Sequence, residues 1–219
     1  MAEESASYSS RGLLNAQVIA AYRLAFGSLG LAAIVRQLIN QIDRNTSIIN
    51  FFSFFTIQSN LIIIAVFLVG AWALNKGREL PNWDMVRGAA AAYMITTGVV
   101  YVLLLSGLEK DLQTTIPWVN AVLHYWLPLL ALVDWVIDRP ARAIAFGDAL
   151  VWLVYPLAWL AYSIVRGLAV DWYPYPFLDP DHLDQGWGRV ALTCVVIFLA
   201  FVGLVWAMTR TSGWRLTRG

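Results

Sequence analysis

The chain has 219 residues, of which 59% are hydrophobic and 13% charged, with a formal net charge of +1. Soluble domains carry about 25% charged residues; that deficit and a mean hydropathy of +0.63 exclude an ordinary soluble domain and point to an integral membrane protein. The near-neutral charge, with no basic cluster or stacking platform, argues against a nucleic-acid partner, and the single Cys194 has no second cysteine for an intramolecular disulfide.

Residues 1–13 are polar and lack the short apolar region and cleavage site of a signal peptide, so they read as a cytoplasmic tail. Six apolar segments follow, at 14–38, 48–74, 87–107, 117–137, 146–168 and 188–209, and 210–219 reads as a second cytoplasmic tail. The expected fold is therefore all-α: a polytopic bundle of six transmembrane helices with short connections and antiparallel sequence neighbours. The stretch 169–187 is broken by prolines and aspartates and reads as an outer loop. Its Trp172, Tyr173, Tyr175 and Phe177 suit a membrane interface.

Lysines and arginines set the orientation. With the N-terminus inside, Arg11, Lys76, Arg78, Arg87, Arg139, Arg142, Arg210, Arg215 and Arg218 face the cytoplasm. Arg36, Arg44, Lys110, Arg166 and Arg189 then lie outside. Nine against five places both termini in the cytoplasm of a cell whose plasma membrane the chain crosses.

Segment one carries Arg23 about three turns from its start, where a guanidinium must snorkel or meet a carboxylate. Asp134 and Asp148, toward the cytoplasmic ends of segments four and five, are the two partners in range. Segment two opens with a polar stripe, Asn50, Ser53, Thr56 and Asn60, within one sector of a helix. Hydroxyls and amides in hydrocarbon need partners, so this stripe must face inward. At 1.5 Å per residue, Ser53 and Thr56 lie roughly 8–12 Å below the outer edge. Thr97 of segment three, His124 of segment four and Tyr162 of segment five fall at roughly 9–15 Å by the same arithmetic. Four segments thus place polar groups in one layer.

His124 is the one histidine inside a segment, and Asn120 stands one turn before it. A buried imidazole beside a hydroxyl can act as base to a serine or threonine nucleophile; equally, it can be a neutral ring bonded to a carbonyl that holds helices together. Trp152, Tyr155, Trp159 and Tyr162 line one face of segment five, as packing or as the wall of a lipid cavity. His182, among Asp179, Asp181 and Asp184, has no second histidine or cysteine beside it and reads as a solvated acidic loop rather than a metal site. The lysines, Lys76 and Lys110, lie in loops, which excludes a retinal Schiff base; bis-histidine haem ligation needs two buried histidines. No Walker, GxGxxG, GxSxG or HExxH pattern is present.

Several short motifs, in order, resemble the androgen-induced-gene type of six-helix membrane proteins. They are the Phe-Ser-Phe of Phe52–Phe54, Trp118-Val119-Asn120 followed by His124, Leu127-Pro128 and Asp134, then Tyr175-Pro176-Phe177-Leu178, and Gly188-Arg189. Animal members of that family hydrolyse fatty acid esters of hydroxy fatty acids. The resemblance implies a catalytic threonine near the start of segment two and a catalytic histidine in segment four. The histidine carries over to His124; the threonine falls on Ser53 by the register of the flanking aromatics, or on Thr56 after a slip of one turn. The expected function is then a lipid ester hydrolase with a Ser/Thr-His pair and no metal or organic cofactor. Its partners would be membrane lipids and a lipid-ester substrate. Asn120, Asn60 and Thr97 are the candidates for oxyanion or substrate contacts, and Trp159 and Tyr162 for the acyl wall. The alternative is a non-catalytic membrane protein that binds or transports a lipid or small molecule in the same polar layer.

Overall fold

The computed structural model describes residues 2–108, 116–140 and 142–212, with side chains from Ala16 onward. Lys110, Arg215 and Arg218 of the charge count lie outside the described residues. Six helices are long and apolar enough to cross a bilayer, the architecture of a multi-pass integral membrane protein. We label the elements α1 (spanning part Ala16–Asp43), α2 (Ile48–Ser53), α3 (Phe55–Asn75), α4 (Trp83–Leu105), α5 (Pro117–Ile137), α6 (Phe146–Val170) and α7 (Gly186–Ser212). The all-α, six-helix expectation is met. The polar residues before segment one, read as a tail, are helical and continuous with α1 back to Ala2, ahead of the span that begins at Ala16; no proline interrupts them, and Ala and Glu favour the helix.

Cross-contacts fix the alternation of the spans. Near one end, Ser59 of α3 meets Thr97 late in α4, Asn60 of α3 meets the backbone early in α5, and Ser53 meets Tyr162 late in α6. Near the other end, Arg23 early in α1 meets Asp134 late in α5, and Gly70 late in α3 lies against Trp83 at the start of α4. α1 packs along α3, and α4 packs on α3 and α5. Their shared core includes Phe67, Met94, Leu123 and Leu127, all fully buried. α6 and α7 are different: Val154, Val165, Leu168, Leu192 and Leu199 are all more than half exposed, as lipid-facing side chains are.

Segment two is not one helix. It breaks at Phe54, whose backbone is extended (φ −68°, ψ 129°), into α2 and α3. No glycine or proline marks the break. Tertiary partners take the backbone groups it frees: Gln58 Nε2 donates to Phe52 O at 2.7 Å, Trp159 Nε1 donates to Ser53 O at 2.9 Å, and Thr56 N donates to the Tyr175 hydroxyl at 3.0 Å. Buried backbone groups demand such partners, so the kink exists because α6 and the loop at 171–185 supply them.

α4 and α5 each widen into a π-turn, at Tyr101–Leu105 and Val122–Trp126. Such turns are uncommon and concentrate at functional sites. α4 and α5 approach closely at Gly98, where a Cβ would stand 2.7 Å from Pro128 Cβ and 3.5 Å from the His124 carbonyl oxygen. Only a residue without a side chain lets the His124 stretch lie so near α4.

Arg23 is held at the far end. Its Nε and Nη2 donate to the two carboxylate oxygens of Asp134 at 2.7 and 3.0 Å, and Nη2 also reaches Asp138 at 2.6 Å. Of the two expected partners Asp134 is the one; Asp148 is exposed. Arg87, expected near a segment end, lies inside α4 and is buried, bridging Asp84, Asp134 and Asp138. Burying a guanidinium is tolerable where carboxylates surround it.

Candidate active site

Ser53 ends α2. Its hydroxyl donates its single proton to Ile49 O at 2.7 Å, so at 2.8 Å it accepts from the Tyr162 hydroxyl. Above and below lie three more polar rungs on α6: Arg166 Nη2 donates to Asn50 at 2.6 Å, Trp159 to Ser53 O, and Tyr155 to Gln58 Oε1. Three of the four members of the aromatic stripe, Tyr155, Trp159 and Tyr162, therefore form a hydrogen-bonded ladder that fastens α6 to α2 and α3, while Trp152 packs against Trp135 with its indole nitrogen unpartnered among the described residues. Trp159 and Tyr162 serve in it.

Thr56, one turn on, is the second residue of α3, where the helix N-terminus favours negative charge. Its Oγ1 lies 3.1 Å from the Tyr175 hydroxyl, which also accepts the Thr56 N–H. Tyr175 was expected at the interface. Instead it is 5% exposed and reaches into the bundle, ringed by Phe54, Trp159 and Phe177. Burial pushes its phenol up to about 12, against the pull of the Thr56 hydrogen bonds. Sequence reasoning placed Tyr175 in a motif but assigned it no role, since only the fold brings residue 175 to residue 56.

His124 is 2% exposed and sits within the α5 π-turn. Its Nδ1 lies 3.2 Å from Asn120 O. A carbonyl only accepts, so Nδ1 carries the proton in this bond; in the neutral ring Nε2 then holds the lone pair. The Asn120 side chain donates to the Tyr101 hydroxyl at 2.7 Å, and the Tyr101 ring stacks on the imidazole with centroids 4.0 Å apart. Asn120 and Tyr101 together fix the ring. Asn60 Nδ2 donates to Thr56 O and Leu123 O at 2.8 and 3.2 Å, while its Oδ1 is buried without a hydrogen-bond partner. Thr97 Oγ1 donates to Tyr93 O at 3.0 Å and meets the Ser59 hydroxyl at 2.9 Å.

Two cavities meet here. The larger, about 110 Å³, is enclosed by α3, α4, α6, α7 and the loop at 171–185. Phe55, Val100, Trp159, Leu160, Phe177 and Phe201 contribute to its walls, with Thr56, Thr96, Thr97 and Tyr175 as hydroxyl-bearing members. It reaches the surface at Leu157 and Phe198, which line it and are 47% and 39% exposed. The smaller, about 10 Å³, is lined by Gln37, Gln41, Phe51, Phe54, Thr56, Ile57, His124 and Tyr175. Thr56 and Tyr175 border both. Ser53 borders neither.

Among the described residues no group of three or more His, Cys, Asp or Glu side chains is placed to hold a metal ion. The arrangement of a helix N-terminus, a hydroxyl, a buried imidazole held by its Nδ1 and an apolar chamber is suited to acyl transfer. No family model, curated protein or solved structure matches the chain.

Proposed function

We propose that the protein hydrolyses lipid esters in the membrane, with Thr56 as nucleophile and His124 as general base. The observation that carries this reading is the position of Thr56 on the partition between the apolar chamber and the His124 cavity. An acyl chain lying between α6 and α7 brings its ester carbonyl to the Thr56 hydroxyl. Tyr175 accepts the Thr56 N–H and lies 3.1 Å from Oγ1; with Tyr175 as donor in that second bond, the Thr56 proton is left for His124. Thr56 Oγ1 attacks the carbonyl carbon, His124 Nε2 takes the proton, and the developing charge lies at the start of α3. Collapse expels the alcohol, protonated by His124, and leaves an acyl group on Thr56.

Ser53 supports this choice by contrast. Its proton is committed to Ile49 O and its acceptor to Tyr162, so it acts as a strut between α2 and α6. The resemblance to the androgen-induced-gene type proteins agrees with a hydroxyl-histidine pair, and the one-turn slip that reaches Thr56 fits the cavity geometry. The nine-to-five charge bias favours cytoplasmic termini and, with them, a site toward the outer leaflet of the plasma membrane we propose for it.

A fluorophosphonate probe, which labels activated hydroxyls, tests the reading on purified protein. Labelling is expected in the wild type and in Ser53→Ala, and is lost in Thr56→Ala and His124→Ala. The double variant Thr56→Ala/His124→Ala loses no more ester hydrolysis than either single one, because members of one unit are non-additive. Labelling that survives Thr56→Ala sinks the assignment. Wild-type protein that stays unlabelled yet binds lipid is a binding protein.

A further inference from the structure

α1 carries two glutamines one turn apart, Gln37 and Gln41, that are 1% and 2% exposed. Amides buried in a membrane-spanning helix are costly without a polar task. Neither is near the catalytic pair in sequence, yet both line the small cavity with Thr56, His124 and Tyr175. The Thr46 hydroxyl contacts both the backbone carbonyl and the side-chain amide of Gln41. The other walls, Phe51, Phe54 and Ile57, are apolar.

A volume of about 10 Å³ is that of roughly one water, which needs two to four polar partners. Five polar side chains surround this one. We infer that the small cavity binds the single water that deacylates Thr56, and that Gln37 and Gln41 position it. The inference rests on the hydrolase reading above. The acyl chain lies in the larger chamber, so the water waits on the opposite side of the Thr56 ester, beside the imidazole. Its oxygen attacks the acyl carbonyl carbon while His124 Nε2 takes one of its protons. The C–Oγ1 bond then breaks, His124 returns that proton to Oγ1, and a carboxylic acid and free Thr56 result. Gln37 and Gln41 hold the water and exchange no proton.

Acylation and deacylation separate in pre-steady-state kinetics with a p-nitrophenyl acyl ester, read together with intact-protein mass. Gln37→Leu and Gln41→Leu fill the cavity. They should keep a burst of about one nitrophenol per protein and fluorophosphonate labelling, while steady-state turnover falls by about 10- to 100-fold, the scale of a misplaced reactant. The acyl adduct should accumulate on Thr56. Gln37→Ala, which enlarges the cavity and keeps room for water, should slow deacylation less than Gln37→Leu. Leu variants that deacylate at the wild-type rate overturn the inference and leave the hydrolase reading standing. Burst and turnover falling in parallel, in the Leu and Ala variants alike, overturn it too, since that is a structural effect. Wild-type protein that never acylates removes the premise and the inference together.

Discussion

Replacing Arg23 by leucine should cost stability rather than chemistry. Arg23 makes three short contacts to carboxylates, two to Asp134 and one to Asp138. Without it Arg87 alone faces Asp84, Asp134 and Asp138, and its contact with the buried Asp134 carboxylate is longer, at 3.4 Å. Breaking a buried pair by removing one partner costs about 3–5 kcal/mol, because the other charge is left uncompensated. The remaining Arg87 puts the expected loss at the lower end, about 3 kcal/mol. For a chain of this size that lowers Tm by about 6–12 °C. The assay is thermal unfolding of purified protein in detergent, beside ester hydrolysis per folded molecule. Turnover should stay within a few-fold, since Arg23 and Thr56 lie toward opposite ends of the bundle. Arg23→Leu/Asp134→Leu should recover much of the loss, because two apolar groups in place of a buried pair are often neutral. An unchanged Tm in Arg23→Leu refutes the electrostatic reasoning. A normal Tm with abolished turnover moves Arg23 into the site and favours a transport path.

Tyr175→Phe should change the alkaline limb of stability. The folded phenol is raised from 10.0 to about 12, so between those values the unfolded chain has released a proton that the folded one keeps. The Tyr175 contribution is complete below about pH 10 and is lost as pH rises toward 12. Denaturation midpoints against pH should therefore fall less steeply above pH 10 in Tyr175→Phe than in the wild type; parallel curves would refute a buried, neutral phenol. Gly98→Ala puts a Cβ 2.7 Å from the rigid Pro128 ring and should cost about 1–3 kcal/mol through overpacking, with a fall in kcat as the His124 stretch shifts. An unchanged Tm would mean that α4 and α5 have slack there.

Hydropathy made the spans legible, because a bilayer imposes length and apolarity on each segment separately. The segment read at 117–137 matches α5 at both ends, and that read at 146–168 falls two residues short of α6. Charge was a poorer guide. Arg87 looked like the edge of segment three, yet α4 begins at Trp83 and buries it, because its carboxylates come from its own first turn and from α5. The kink at Phe54 left no local trace, since side chains more than 100 residues away satisfy its Ser53 carbonyl and Thr56 amide. The same distance hid the role of Tyr175. The polar layer was visible as depth arithmetic, but depth alone did not separate Ser53 from Thr56. Their difference is one of direction, toward α6 or toward the cavities, and the break between α2 and α3 creates it. Gln37 and Gln41 drew no notice as two amides in a long apolar helix.

The π-turn of α5 is, in terms of length, an insertion absorbed on the spot. Ahead of it Asn120 is tied to Tyr101, and behind it Asp134 is tied to Arg23. A regular helix of the same length would turn one of these anchors by about 100° around the axis. The wide turn lets a single rod of this length keep two appointments, a polar chamber at one end and a charge cluster at the other, whose phases would otherwise disagree. Deleting one residue from Val122–Trp126 would therefore give a regular helix that keeps both ends in step, and the loss would fall on the local seat of His124 alone.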